Sequence, residues 1–561
     1  MKKRLVALLS VCMVLLLFAA GLTACNFGGG SSGGTGDSGN SDQPSHKHTF
    51  SAEWSYDEEY HWHAATCEHK EEISGKEAHS FAADGKCLSC EYVQNAKSEF
   101  TFVKSDNAEY YIIEKYSGKA KTVTIPAEYD GLPVREIGAN AFEYNLDMEK
   151  VVLPDTIERI KYKAFFACVR LRSINFPSSL KSISSFAFYM CERLDNVVLP
   201  DSLLYIEKLA FAGCGITEIT IPGSIYGISQ GTFLGCHDLF KVVIKEGVVR
   251  IEADAFNGCP SLVSVTLPST MTRIDDNSFG GCDKIVEIYN FSSIEIKKGE
   301  RSNGQIAENA LDIFTLKTDK SNIVLLDGGF VAYDNGTDVY LLGDKKMGIY
   351  TKARMLVLPD SINGKNYVVA KGAFYAEHNI VSIVIPSSVK GIQTYSFGYY
   401  RIVEVKNESS VDINSWGSLS NVKNIYGKNS GRSYLDRTSD GYIFYNDGKE
   451  TLLVGYNGDD TELVLPERYN GKTYEIGQLA FCGLDFVEKI TVPDGVGLKE
   501  DGIFSYDSSL KEIVLPDGME TLTSGTLANC YSLQKITFPN SLKNIEAESL
   551  YWNFSLEELI L

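Results

Sequence analysis

The chain has 561 residues, of which 44% are apolar and 11% aromatic, and a formal net charge of −20. That length is several domains or one long array, with ample apolar content for a core. The acidity argues against nucleic acid and anionic lipid headgroups as partners, since both are held by clustered cations.

The first stretch reads as an export signal. Lys2-Lys3-Arg4 is a basic start, and Leu5 to Gly21 is an apolar run without a charge. An ordinary signal peptide or a transmembrane helix would share those features, although the run is short for a crossing helix. The next four residues, Leu22-Thr23-Ala24-Cys25, resemble the lipobox of bacterial lipoproteins. The resemblance implies cleavage before Cys25 and a lipid on its sulfur, which would hold the chain to the outer face of a membrane. Residues 26–45 are nearly all Gly, Ser, Asn, Asp and Thr and should form a flexible tether. Gly36-Asp37-Ser38-Gly39 matches a string found around serine nucleophiles, but a tether has no fold to position a base.

Residues 46–95 gather histidine and cysteine. Six of the eight histidines lie here: His46, His48, His61, His63, His69 and His79. Cys67, Cys87 and Cys90 join them. Cys87-Leu-Ser-Cys90 has the spacing that gives two thiolates to a tetrahedral zinc. Three cysteines cannot pair among themselves, and a short segment poor in aliphatic residues needs a staple. The expected ligands of one structural zinc are Cys67, His79, Cys87 and Cys90, with His69 as the substitute for His79. A disulfide, Cys87–Cys90 or Cys67–Cys87, is the alternative in an oxidising exterior. A redox role would need a βαβ setting that is missing here. The segment resembles small zinc-ribbon-like modules near the N-termini of exported bacterial repeat proteins.

From Glu149 to Val286 one sentence is written repeatedly. Pro154, Pro177, Pro200 and Pro222 are 23, 23 and 22 residues apart. Phe142, Phe165, Phe188, Phe211, Phe233, Phe256 and Phe279 keep the step. Cys168, Cys191, Cys214, Cys236, Cys259 and Cys282 each follow their phenylalanine by three residues. Such a period signals a solenoid. In each turn Leu171-x-x-Ile174-x-Phe176 alternates as a short strand. A proline ends it, having no N–H for a ladder. Leu180-x-x-Ile183 turns inward again, and Ser184 to Phe188 reads as a helical or 3₁₀ turn. The pattern resembles the BspA-type leucine-rich repeat, a bacterial surface variety, over most of residues 120–561. The fold expected is mainly β with short helical or 3₁₀ turns, a leucine-rich-repeat solenoid in three capped blocks. Stacked cysteines would lie about 4.8 Å apart, within Cα reach of a disulfide. Their parallel Cβ vectors favour free buried thiols instead.

Block limits come from closing and opening phrases. Val286-Glu-Ile-Tyr-Asn-Phe-Ser-Ser-Ile294 and Val403-Glu-Val-Lys-Asn-Glu-Ser-Ser-Val411 close two blocks alike. Segments 109–118, 327–336 and 440–448 open blocks alike and suggest capping hairpins. The division is a leader 1–24, tether 25–45, Cys/His module 46–95, first block 99–298, linker 299–324, second block 325–430 and third block 431–561. Ala-Phe-like positions give seven, two and four coils, the last two with Leu527 and Leu550 where phenylalanine stood. The 23-residue step puts the next proline at position 562, so a final strand ends the chain or the sequence is a fragment.

No catalytic motif stands out in the repeats, and His237 and His378 read as surface side chains. Tyr399-Tyr400, Trp416 and Tyr551-Trp552 read as either a ligand platform or the cover of a block edge. The resemblance implies a non-enzymatic, lipid-anchored surface protein that binds an extracellular protein or cell-surface macromolecule, with adhesion to host matrix or other cells. The alternative is an envelope structural or glycan-binding protein. Clustered exposed aromatics would favour glycan; a mixed charged face would favour protein. Function should then lie in irregular residues such as Arg170, Glu192, His237 and Asp283.

Overall fold

The computed structural model describes residues 50–56, 60–66, 73–78, 89, 99–318, 320–345, 352–375, 379–398, 401–413, 419 and 422–560. Leader, tether, Cys25, Cys67, His69, His79, Cys87 and Cys90 lie outside them, as do His378, Tyr399, Tyr400 and Trp416. In the N-terminal unit, strands Phe50–Tyr56, Tyr60–Ala65 and Ile73–Ala78 form an antiparallel sheet. Trp54 stacks on His63 at 3.9 Å and meets His61 edge-on at 4.4 Å. Those two histidines pack in the sheet.

The repeats stack as parallel strands in two ladders. One ladder runs through Glu218–Ile221, Lys241–Ile244, Ser264–Leu267 and Glu287–Asn290, with Ile219, Val242, Val265 and Ile288 directly opposite one another. The other uses two-residue strands such as Arg159–Ile160, Ser182–Ile183 and Tyr205–Ile206. The period therefore places like on like, and the inward Ile and Val columns are buried. Each phenylalanine column is also a stack. Phe165, Phe188 and Phe211 follow one another at centroid spacings of 5.1 Å with rings nearly parallel.

The segments expected as helical turns are not helices. Each carries two residues of left-handed conformation four apart, such as Lys163 and Ala167, Phe186 and Met190, or Asp254 and Gly258. A left-handed residue breaks the helical hydrogen-bond run. The freed N–H groups bond to the next coil instead: Phe165 to Ala187 O at 2.8 Å and Ala167 to Tyr189 O at 2.7 Å. Complete 3₁₀ helices among the described residues are Asn303–Gln305, in the turn of a further coil, and Asp327–Gly329.

The stretch 299–324, expected as a linker, holds a further coil. Phe279 N–H reaches Gly304 O, and strand Asp312–Phe314 pairs in register with Glu287–Asn290. Ile306, Ala307 and Ala310 are buried in the core of the first block. The second block ends the same way, with Asn424–Gly427 beside Glu404–Asn407 and Leu419 buried.

Three large cores result, over 100–310, 332–419 and 442–538. Antiparallel hairpins precede the coils of each: Phe100–Lys104 with Tyr111–Tyr116, Phe330–Asp334 with Val339–Asp344, and Tyr442–Asn446 with Thr451–Tyr456.

Candidate binding surface

The blocks meet through two joints of the same design. Glu287 is fully buried and accepts hydrogen bonds from Ser321 Oγ at 2.8 Å and from Asn322 N–H. Glu404 does the same for Ser433 Oγ at 2.6 Å and Tyr434 N–H at 2.7 Å. Three residues earlier, Lys284 donates to Ala373 O at 2.7 Å, and Arg401 donates to Ala480 O. A small apolar core backs each joint, one around Val286, Val331 and Tyr333, the other around Val403, Ile443 and Tyr445. The closing phrases also fold alike: Asn290 Nδ2 donates to Ile294 O at 2.8 Å and Asn407 Nδ2 to Val411 O at 2.9 Å.

A third joint brings the third block against the first. Arg193 donates to Asp485 Oδ2 at 2.6 Å and Ser508 Oγ at 3.1 Å. Arg170 reaches Ser509 and Ser532 Oγ, both at 3.3 Å. Tyr531 OH donates to Glu192 at 2.7 Å. Arg170 and Glu192 thus have structural work at this seam, and Asp283 holds Lys371 of the second block at 2.8 Å. His237 stands exposed on its coil.

The six ladder cysteines are buried free thiols. Each donates to the carbonyl of the phenylalanine one coil back, Cys168 to Phe142 O and onward to Cys282 and Phe256 O, at 3.1–3.3 Å. Burial pushes the Cys236 thiol up to about 12. Cys530 makes the same bond to Phe504 O, and Asn553 Nδ2 makes its equivalent to Leu527 O. Asp507 occupies this ladder position one coil before Cys530. It is fully buried, and its two oxygens complete no hydrogen bond.

What these joints leave uncovered is a band of aromatic rings on the turn face. Tyr551 contacts Trp552, and Trp552 contacts Phe554. Phe554 then meets Tyr144 across the seam at 4.6 Å. From Tyr144 the path continues to Phe166, Tyr189, Phe186 and Tyr162. Its seven steps span 4.6–6.0 Å. Tyr551 is 54% exposed, Tyr162 46%, and Tyr144 and Phe554 each 40%. Lys163 Nζ sits 4.3 Å over the Phe166 ring and pairs with Glu143 at 3.3 Å. Later coils carry Ala212, Leu234, Asn257 and Gly280 where Phe166 and Tyr189 stand, so the band is local. Tyr551-Trp552 belongs to it. The other rings escape a sequence reading because they flank the buried phenylalanine at positions that vary freely; a column of aromatics confined to neighbouring coils is the signal.

Among the described residues no three His, Cys, Asp or Glu side chains converge as a metal site. Two clefts, of about 500 and 240 Å³, lie beside Gly495–Met519 and Asp283–Lys371, and no ring of the band lines either.

The family model of the BspA type leucine rich repeat region matches residues 135–215, 204–306, 358–436 and 461–561, more than half the chain. The chain belongs to the BspA-type leucine-rich repeat family. BspA-type repeats thus account for the Pro, Phe and Cys columns and for both ladders. A leucine-rich repeat protein of T. pallidum is 33% identical, the match covering 30% of this chain and 81% of that one with a TM-score of 0.30. A leucine-rich cell surface protein of Faecalibacterium prausnitzii is 20% identical over 82% of this chain and 93% of its own, TM-score 0.33. The pneumococcal vaccine antigen PcpA is 15% identical over 80% and 89%, TM-score 0.24. No curated protein sequence matches the chain.

Proposed function

We propose that this protein is a non-enzymatic adhesin, anchored by lipid at Cys25 to the outer face of a bacterial cell, whose BspA-type array grips a macromolecule outside the cell. The observation that carries the reading is the exposed aromatic band on a rigid stack of coils. Aromatic rings supply large contact area at low entropic cost, and a solenoid holds them in fixed positions. The family match supports a binding architecture. The Leu22-Thr23-Ala24-Cys25 string supports the anchor, and the tether 25–45 would carry the array clear of the membrane.

The module 46–95 would carry one structural zinc on Cys67, His79, Cys87 and Cys90, with His69 in reserve for His79. Cysteine thiolates and a histidine are the donor set zinc favours.

Cells displaying the full chain should adhere to matrix-coated or cell-coated surfaces more than cells lacking it. Cys25→Ala should release the protein into the medium. Adhesion that is unchanged when the protein is removed would overturn the proposal.

A further inference from the structure

We infer that the aromatic band is a platform for a neutral polysaccharide chain, the inference resting on the surface-binding reading above. A sugar ring presents an apolar C–H face and a polar rim. The band presents the same two chemistries in complementary form. Tyr551, Tyr162, Tyr144 and Phe554 present exposed rings. The cation over the band is paired: Lys163, above the Phe166 ring, binds Glu143 at 3.3 Å. In a chain of net charge −20 this local neutrality fits an uncharged ligand and neither repels nor selects an ionic one.

The exposure of single rings favours a glycan over a protein. Protein hot spots sit in well-packed pockets ringed by groups that exclude water. The band lines neither of the two clefts, and Tyr162, Tyr144 and Tyr551 stand separately exposed along it. An extended chain that touches one ring after another suits partly exposed rings spread over neighbouring coils. The band also has a definite end in the first block, because the coils beyond Tyr189 place Ala212, Leu234, Asn257 and Gly280 in the same column. The seam contact Tyr144–Phe554 puts rings from two blocks on one track. The ligand would therefore bridge the first and third blocks.

The test is affinity electrophoresis of the full chain, in detergent, through gels holding xyloglucan, mixed-linkage β-glucan or mannan, with heparin as the anionic control. Retardation by at least one neutral polymer and none by heparin is expected. Tyr551→Ala and Tyr162→Ala should each weaken binding about tenfold, the loss of one stacking contact. Both side chains are exposed enough for the fold to persist, which an unchanged melting temperature checks. Val198→Ala, at an exposed side chain that is not part of the band, should bind as the parent does. No retardation in any neutral gel overturns the inference, and so does retardation that both tyrosine variants retain. Binding to immobilised fibronectin without binding to the three polymers overturns the glycan assignment while leaving the adhesin reading intact. Absence of both overturns the two together.

Discussion

Arg193 of the first block donates a 2.6 Å hydrogen bond to Asp485 of the third, 292 residues further along the chain. Both side chains are mostly buried, and burial holds the Asp485 carboxyl above the usual carboxylate range despite Arg193, Arg172 and Arg170 nearby. Removing the arginine takes the hydrogen-bonded cation from a carboxyl that has little water. Arg193→Ala should therefore cost about 1–3 kcal/mol. Adding Asp485→Ala should recover part of that loss, since the stranded carboxylate goes too. Urea unfolding of the single and double variants measures the coupling; strict additivity would mean the pair contributes nothing to the seam.

Asp507 gives a pH signature. Burial first, then the negative Asp485, pushes its carboxyl well above the ordinary range, against the pull of Arg401. The folded state therefore prefers the protonated acid. Its contribution is complete below the unfolded value of about 3.9 and is lost as pH rises toward the folded one. Asp507→Asn supplies an amide donor like that of Asn553, with no charge to bury. The variant should melt with the parent near pH 4 and progressively above it toward pH 8. Parallel melting curves across that range would show that Asp507 does not change protonation between the two states.

Phe211 is fully buried between Phe188 at 5.1 Å and Phe233 at 5.7 Å. Its ring contacts both neighbouring coils, so Phe211→Ala should cost about 3–5 kcal/mol. Hydrogen exchange should speed up mainly in coils near the cavity, because each coil contacts only its neighbours. A parental melting curve would count against the coil assignment.

The buried thiols are predicted to be chemically silent. Cys168, Cys191, Cys214, Cys236, Cys259, Cys282, Cys482 and Cys530 are buried, and reagents attack the thiolate. An aromatic disulfide reagent should leave these eight untouched in buffer and titrate all of them in guanidinium without prior reduction. Fast labelling of any of them in the native protein would show that its coil opens.

The proposed zinc on the N-terminal module is checked directly. The purified full chain should carry one zinc per molecule by elemental analysis, and Cys87→Ser with Cys90→Ser should lose it. Absence of metal together with oxidised cysteines would decide for the disulfide alternative.

The coil was legible because its information is local and repeated. Leu171, Ile174, Pro177, Phe188 and Cys191 each recur at a fixed step, and stacking identical units puts identical residues in contact. What was not legible depends on pairs seen only once. Nothing in Arg170 or Glu192 announces Ser532 or Tyr531 as partners; both looked like free surface. The turns were misread because left-handed backbone usually shows itself as glycine, whereas Lys163, Phe186 and Leu209 adopt it here under the constraint of the stacked coil. The coil within 299–324 was hidden because Gly304-Gln305 stands in place of Ala-Phe after an insertion. Cys530 kept the three-residue offset from Leu527 and could have been found, had the offset been followed past the last phenylalanine.

The first and third blocks touch, and each also touches the second. An open repeat protein can gain or lose a unit at either end and merely change its reach. Here a fourth block inserted between the second and third would carry Asp485 away from Arg193 and divide the aromatic track at Tyr144 and Phe554. Duplication, the ordinary route by which such arrays grow, is therefore penalised inside the chain. Natural variants should differ in coil surfaces while keeping the number of blocks, so that selection acts on a count where in most arrays it acts on a length.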